Sequence, residues 1–353
     1  MQPFIYQSAP ARIVFGAGTL QQLPAEVERL GLQRVLVLCT PGHARRGQQV
    51  AALLDARAAG CLAQAVMHVP VDLAERACDD ARQRSADGLV AVGGGSTIGL
   101  AKAVALQLGL PIVAVPTTYA GSEVSPIWGL TEGGVKRTGR DPRVLPRTVI
   151  YDPDLTLTLP LGLSVTSALN AMAHAAEALY APDGNPVAAL MAEEGLRACA
   201  AALAPLGADL ADADARAQAL YGAWLCGTML GAVTMGLHHK LCHTLGGSFN
   251  LPHAEVHAVV LPHALAYNAS HAPEALARMA RALHATDAAL ALQQLAARHG
   301  APTSLRALGM PEHGLDRAAD LAVANPYPNP RPLERGALRA LLQRAWDGSL
   351  PRA

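Results

Sequence analysis

The chain has 353 residues, and its 28 lysine and arginine residues are balanced by 28 aspartate and glutamate residues. This balance argues against a nucleic-acid or membrane-surface partner, because neither a basic field nor a basic stripe is present. The length exceeds that of one ordinary core, which predicts two domains. Abundant alanine and leucine, with only 4% aromatic residues, predict helix-rich packing.

Targeting signals and cysteines bear on the compartment. The N-terminal stretch lacks a basic region followed by a long apolar core, so we expect no signal peptide. No apolar run reaches membrane-spanning length without interruption, so we expect no membrane span. The six cysteines are scattered and form no CxxC pair, which is typical of reduced thiols. We therefore expect a cytoplasmic protein.

Strand and helix patterns divide the chain in two. Strand signals occur in RVLVLCTPG, GLVAVGGGSTIGLAKAVAL, PIVAVPTTYAGSE and RTVIYDPDL, and helical stretches alternate with them. This alternation predicts a parallel sheet with helices on its faces. From residue 159 the strand signals stop, and alanine-rich helical segments follow one another. The predicted fold class is α/β: a Rossmann-like nucleotide-binding domain over 1–158 and an all-helical catalytic domain over 159–353, with the active site expected in the cleft between them.

A glycine-rich loop follows the second of these strands and opens a helix. Glycines allow close approach of a pyrophosphate, and a helix N-terminus presents free N–H groups to it. A second polar loop follows the next strand, and Thr40 follows the first strand where an acidic residue often binds the adenosine ribose. A tight turn without a ligand is the alternative. The candidate cofactor-binding residues are Thr40, Gly93, Gly94, Gly95, Ser96, Lys102, Thr117, Thr118 and Ser122.

Histidines are concentrated in the second half of the chain. Asn170 and His174 are four residues apart in a helical pattern, and so are His239 and His243, so each pair projects from one helix face. His253 follows a proline in a stretch that we expect to be irregular. Three imidazoles and a carboxylate would suit zinc or ferrous iron, but an amide replaces the carboxylate, which weakens such a site without forbidding it. Helix capping or satisfied buried polar groups are the alternative interpretation.

Several long segments resemble the iron-containing alcohol dehydrogenase family, which has a dehydroquinate-synthase-like fold. They are the strand-GGGS-helix unit, PTTYAGSE, the helix around His174, and HHKLCHTLGG followed by PHAEVHAVVLPH. Within that family, IYQSAPARIVFGAG and LYGAWLCGTMLGAVTMGLHHKLCHTLGG are most similar to the maleylacetate reductase branch. The resemblance implies NADH or NADPH as cofactor, a small dicarboxylate as substrate and a homodimer.

The resemblance also carries the family's metal-binding positions onto this chain. Its acidic ligand falls on Asn170, and its histidine ligands fall on His174, His239 and His253. Gly99 stands where metal-dependent members usually carry an aspartate. Both departures fit the maleylacetate reductase branch, which the resemblance implies works without a catalytic metal.

The implied chemistry assigns roles to the remaining residues. Reduction of the substrate alkene would produce an enolate, for which proton donors can replace a metal. We expect His243 to donate the proton, with His253 or His239 as competitors. The expected substrate-binding residues are Asn170, His174, His238, Lys240, His257 and Tyr327. The basic run Lys136, Arg137 and Arg140 is interpreted as a solvated hairpin or loop rather than a binding site.

Two other functions remain open from the sequence. One is a metal-dependent iron or zinc alcohol dehydrogenase, which bound metal and chelator-sensitive activity would favour. The other is a non-catalytic nucleotide-binding protein that kept its cleft and lost its metal. The density of titratable histidines argues against the second, because a silent pocket does not need them.

Overall fold

The chain folds into two compact units, one for each of its two predicted domains. The structure is a computed structural model that describes residues 4, 11–133 and 135–352. The N-terminal stretch on which the signal-peptide expectation depends lies largely outside this range. Two compact units meet in sequence at Leu159 and Pro160, one residue after the boundary predicted above.

The first unit contains a parallel sheet with helices against it. Its strands are β1 (Arg12–Phe15), β2 (Val35–Cys39), β3 (Ala58–Ala63), β4 (Gly88–Gly93), β5 (Ile112–Pro116) and β8 (Thr148–Tyr151), in the spatial order β1-β8-β5-β4-β2-β3. Its helices are α1 (Leu23–Arg29), α2 (Ala44–Leu54), α3 (Val71–Gln83) and α4 (Gly95–Leu108). The alternating valines of β2, β4 and β5 pack with Leu23 and Val27 of α1 into a buried core.

A hairpin extends this unit. Strands β6 (Ile127–Glu132) and β7 (Val135–Arg140) pair antiparallel. Arg137 is exposed and forms an ion pair with Glu132, with 3.1 Å between Nη2 and Oε2. The basic run therefore lies on a hairpin.

The described residues of the second unit form helices joined by loops and turns, with no strand among them. Its helices are α5 (Leu161–Ala178), α6 (Pro186–Ala208), α7 (Ala213–Ala232), α8 (Leu237–Phe249), α9 (His253–Asn268), α10 (Pro273–Ala282), α11 (Ala288–Arg298), α12 (Gly314–Ala324) and α13 (Arg335–Asp347). The predicted fold class, a parallel-sheet unit followed by a helical one, is confirmed. The expectation that His253 lies in an irregular stretch is wrong: His253 is the first residue of α9, and the extended Pro252 is the N-cap of that helix.

Long apolar helices in this unit raise the question of a membrane span. Within the described residues, no single helix is both long and apolar enough to cross a bilayer. Helices α7 and α8 pass that test only when taken together, and the chain bends by 94° between them.

Candidate active site

The leucines and two of the histidines of α8 lie on different faces of the helix. Leu237, Leu241 and Leu245 are four residues apart, and all three are buried in a core with α9 and α13. Burial of each leucine side chain contributes about 2 kcal/mol, which fixes the rotation of the helix. His239 and His243 are also four residues apart and therefore share a different face. The core of α8 thus decides where its histidines point.

Helix α5 brings three polar residues to one face. Asn170, His174 and Glu177 are separated by four and three residues, and all three are buried. The neighbouring positions are mostly alanines, which are buried as well, so other helices approach α5 closely. Nδ1 of His174 lies 2.8 Å from Nε2 of His239, which joins α5 to α8.

Glu177 was not predicted, and it is the most highly connected side chain of the cluster. Its Oε2 accepts from the Gly236 backbone N–H at 2.7 Å and lies 2.6 Å from Nδ1 of His239. Its Oε1 accepts from the backbone N–H of His238 at 2.8 Å. The carboxylate therefore caps the N-terminus of α8, where negative charge is favourable. A signal was present in the sequence: Glu177 extends the spacing of Asn170 and His174 by one further helical turn.

His238 and His257 form an inner layer with Cys242. Nε2 of His238 lies 2.9 Å from Nδ1 of His257 and 3.5 Å from Sγ of Cys242. Burial lowers the pKa of both histidines well below its ordinary value, and neighbouring histidines lower it further. Both rings are therefore neutral and fully buried. That these two rings bind substrate stays a prediction, and as neutral rings they would meet a carboxylate only as hydrogen-bond donors.

Four side chains of the cluster are partly exposed: His243, His253, Lys240 and Tyr327. Nδ1 of His243 lies 3.2 Å from the Tyr327 hydroxyl. The rings of His243 and His253 are almost parallel, with an interplanar angle of 7° and centroids 6.5 Å apart. Nζ of Lys240 lies 5.7 Å from the centre of the Tyr327 ring, within cation–π range. The loop of Tyr327 thus contacts His243 and Lys240.

The donor atoms can be compared with those that a divalent metal needs. One hydrogen lies between His174 and His239, so the two facing lone pairs are not both available to one ion. Asn170 supplies a neutral amide instead of a carboxylate. Among the described residues, the group that brings three potential ligand atoms within 4.8 Å of one another is His238, Cys242 and His257. As arranged, the four positions that the resemblance indicates do not fit a four-ligand metal centre.

The Asn170 amide has an unmet requirement. Its Oδ1 is buried and has no hydrogen-bond partner in the described part of the chain. A buried polar atom without a partner costs about 1–3 kcal/mol. An amide offers both a donor and an acceptor to a ligand, whereas an ionised carboxylate only accepts.

The predicted nucleotide loops lie at one edge of the sheet. Strands β2, β4 and β5 are neighbours and run parallel, so Thr40, the Gly93–Ser96 loop and the Thr117–Ser122 loop all follow carboxyl ends. The chain passes from β2 to β3 on one side and returns to β4 on the other. Such a switch point is where open α/β sheets bind ligands.

The two glycine-containing loops touch. The Thr117 N–H donates to the Gly93 carbonyl at 3.2 Å. A Cβ on Gly94 would lie 2.8 Å from Oγ1 of Thr118, so glycine is needed there for close packing. Gly95, the first residue of α4, has nothing within 4 Å of its Cβ position. The hydroxyl of Thr40 lies 2.8 Å from Nδ1 of His43.

Lys102 does not occupy the place expected of a cofactor ligand. It is 1% exposed, and its Nζ donates to the carbonyls of Ser122, Ser125 and Ile127 at 2.6, 2.8 and 2.8 Å. Burial lowers its pKa to about 7, and Glu123 opposes this shift. Three carbonyls match the three hydrogens of an ammonium, so the side chain braces the segment after Ser122. The helical pattern alone did not show that the side chain points inward.

Comparison with known proteins agrees with this geometry. Models described as "Iron-containing alcohol dehydrogenase" and "Fe-containing alcohol dehydrogenase family, C-terminal" match residues 10–153 and 164–346. The chain is 61% identical over 351 residues to a maleylacetate reductase of Burkholderia cepacia, covering 99% of this chain and 100% of that protein.

Solved structures show the same relationship. A maleylacetate reductase from Agrobacterium tumefaciens has a TM-score of 0.95 at 55% identity, covering 99% of this chain and 100% of that one. An iron-containing alcohol dehydrogenase from Corynebacterium glutamicum has a TM-score of 0.93 at 44% identity, covering 99% and 98%. The predicted resemblance is confirmed: the chain belongs to the iron-containing alcohol dehydrogenase family.

Proposed function

We propose that this chain reduces the carbon–carbon double bond of maleylacetate to 3-oxoadipate with NADH or NADPH, in the breakdown of aromatic compounds. The observation that carries the proposal is 61% identity to a maleylacetate reductase over essentially the whole of both chains. Family membership alone would suit an alcohol dehydrogenase equally well. The neutral amide at Asn170 and the glycine at position 99 favour the reductase.

The proposed reaction needs one hydride and one proton. The nicotinamide delivers hydride to the alkene carbon β to the ketone, and the π electrons move onto the ketone oxygen as an enolate. The carbon next to the ketone then takes the proton, which restores the carbonyl. An enolate is much less basic than an alkoxide, so positioned hydrogen-bond donors can stabilise it.

His243 suits the role of proton donor because its ring is partly exposed and is held by Tyr327. His253 is the main competitor, since its ring is also partly exposed and almost parallel to that of His243. His239 is buried and hydrogen-bonded on both nitrogens, which leaves it a supporting role. For the substrate carboxylates, Lys240 and the Asn170 amide are the better placed donors. The remaining histidines have a structural role in this proposal. His174 is hydrogen-bonded to His239, and the buried His238 is hydrogen-bonded to His257.

We propose that dinucleotide binds at the carboxyl ends of β2, β4 and β5, with its pyrophosphate at the N-terminus of α4. The proposed contacts come from Thr40, Gly93, Gly94, Gly95, Ser96, Thr117, Thr118 and Ser122. Thr40 carries no negative charge that would repel a 2′-phosphate, so both nicotinamide cofactors should be accepted.

Activity without a catalytic metal, a cytoplasmic location and a homodimer complete the proposal. The donor set described above supports the first. Six free cysteines support a reducing compartment. The dimer follows the general tendency of enzymes to form twofold assemblies.

The test mixes purified protein with NADH or NADPH and maleylacetate, follows nicotinamide absorbance and identifies the product. Parallel samples are dialysed against a chelator, and their iron and zinc contents are measured. We expect 3-oxoadipate from chelated, metal-poor protein at undiminished rate. Stoichiometric metal with chelator-sensitive oxidation of alcohols would instead identify an alcohol dehydrogenase. Binding of dinucleotide without turnover of either substrate would indicate a binding protein.

A further inference from the structure

The contacts of Glu177 determine which atoms of two histidines carry hydrogen. An ionised carboxylate only accepts hydrogen bonds, so the nitrogen of His239 that lies 2.6 Å from Oε2 must be the donor. That places a hydrogen on Nδ1 of His239. Glu177 is fully buried, so no solvent competes for this contact.

The same reasoning extends to the next ring. A neutral imidazole has one hydrogen, so Nε2 of His239 carries a lone pair once Nδ1 is protonated. Nδ1 of His174 lies 2.8 Å from that lone pair and must donate to it. The order is therefore Glu177 carboxylate, then Nδ1–H of His239, then Nδ1–H of His174.

We propose that Glu177 is a positioning residue that holds His239 and His174 in the tautomer with hydrogen on Nδ1. The assignment deepens the proposed function, because both rings belong to the candidate active site. The ring of His239 packs with its centroid 6.2 Å from that of His243 and 5.1 Å from that of His257. A fixed His239 ring therefore also limits the orientation of His243, the proposed proton donor, which packs against it.

Glu177 can hold a ring in this way because its own position is fixed independently. The backbone N–H groups of Gly236 and His238 bind one oxygen each. A Cβ on Gly236 would lie 3.0 Å from Oε1, so the backbone approaches the carboxylate closely. Both N–H groups belong to the start of α8, the helix that carries His239. Carboxylates that orient an imidazole in this manner are worth about 10–100-fold in activity in metal sites.

The direct test is nuclear magnetic resonance of full-length protein labelled with ¹⁵N-histidine. Signals of His239 and His174 are assigned by their loss in His239→Gln and His174→Gln. We expect both rings to carry hydrogen on Nδ1 alone. Hydrogen on Nε2 of His239, alone or together with Nδ1, would overturn the proposal. This measurement needs neither substrate nor a Glu177 variant, so it stands even if maleylacetate is not reduced.

The kinetic test uses Glu177→Gln. Glutamine has one oxygen and cannot accept from all three N–H groups, so the preference for Nδ1–H on His239 is weakened. We expect Nε2–H signals to appear on both rings and turnover to fall on the order of a hundredfold, with NADH affinity unchanged. The matched control is Tyr180→Phe, which removes a 3.4 Å contact to Oε1 together with a side-chain hydrogen bond to Asn268, and it should keep both tautomers and turnover. A hundredfold loss in Glu177→Gln with the wild-type tautomers intact would overturn the positioning role.

Discussion

His243 differs from most histidines of the cluster because it combines partial exposure with a polar partner. A positioned proton donor contributes a hundredfold or more to turnover, typically about 10²–10⁴. We expect His243→Ala to lower kcat by at least about a hundredfold while NADH affinity stays the same, because the dinucleotide residues belong to the other unit. Steady-state kinetics and fluorescence titration with NADH measure the two quantities.

The control for this substitution is His271→Ala. His271 is an exposed histidine of the same unit, and its Nδ1 lies 3.0 Å from the Ser270 hydroxyl. Its removal should leave turnover unchanged. Full activity in His243→Ala would transfer the donor role to His253.

The Tyr327 hydroxyl provides a finer test of the same site. Tyr327→Phe keeps the ring and removes the 3.2 Å contact with Nδ1 of His243. A neutral hydrogen bond contributes about 1 kcal/mol, so we expect kcat to fall about fivefold without loss of stability. Tyr221→Phe, on a tyrosine that packs against Trp224, is the matched control. Equal effects of the two substitutions would remove Tyr327 from the site.

Spacing along the chain predicted which histidines gather, but not the order of contacts among them. The four-residue spacings were enough to place Asn170, His174, His239 and His243 on helix faces. Glu177 was overlooked because a glutamate in an alanine-rich helix usually faces solvent. Its burial depends on where α8 begins, and that is set by packing between segments about sixty residues apart.

The turn from β4 into α4 is the element that most directly tests the cofactor proposal. A methyl group on Gly95 would meet nothing in the protein itself. It would occupy the space at the helix N-terminus that the proposed pyrophosphate needs. Gly95→Ala should therefore weaken NADH binding at least tenfold, about 1.4 kcal/mol, and leave the melting temperature unchanged.

The control is Gly336→Ala in α13, which also has nothing within 4 Å of its Cβ position. It should change neither quantity by much. Unaltered NADH affinity in Gly95→Ala would show that the pyrophosphate binds elsewhere. A lowered melting temperature would mean that the helix start itself is strained by the methyl group.

Gly99 shows why one family feature does not fit this chain. A Cβ there would lie 2.8 Å from Cγ2 of Val69. We expect Gly99→Asp to lower the melting temperature, because overpacking against the buried Val69 typically costs about 1–3 kcal/mol. The double variant Gly99→Asp with Val69→Ala should recover part of that loss. Equal melting temperatures of the single and double variants would show that Val69 is not the obstacle.

The strands with the strongest signals, β2, β4, β5 and β8, were predicted from β-branched runs bounded by turns. Strands β1 and β3 were not. Both lie at edges of the sheet, and their pairing is set by distant partners. Arg12, for example, aligns with Thr148. Pairing over such separations depends on the tertiary fold, which no local pattern reports.

Buried neutral histidines make the stability of the protein sensitive to acid. Burial, with a smaller contribution from the nearby Arg344, lowers the pKa of His263 from its ordinary 6.5 to about 4. Between these values the unfolded chain binds a proton that the folded chain does not. The contribution of the neutral His263 ring to the free energy of unfolding is therefore intact above pH 6.5, and it is lost as the pH falls towards 4. His238 and His257 act in the same direction.

His263→Leu isolates one of these groups. Neither ring nitrogen of His263 has a hydrogen-bond partner within the described residues. We expect the leucine variant to be more stable at pH 7.5 by about 1 kcal/mol. Between pH 6.5 and 4, the free energy of unfolding should fall less steeply than in wild type by about 1.4 kcal/mol per pH unit. Denaturant titrations at several pH values measure both. Parallel curves for the two proteins would show that the pKa of His263 is the same in the folded and unfolded states.

Because Glu177 binds both the start of α8 and the ring of His239, local unfolding of that helix turn also releases the ring. The amide hydrogens of Gly236 and His238 can exchange with water only when the first turn of α8 detaches from Glu177. Each such detachment also releases the imidazole of His239. The rate of deuterium uptake at the Gly236 and His238 amides therefore reports how often the His239 ring is released. Warming that frays this single turn should disorder the histidines well before the helical unit melts.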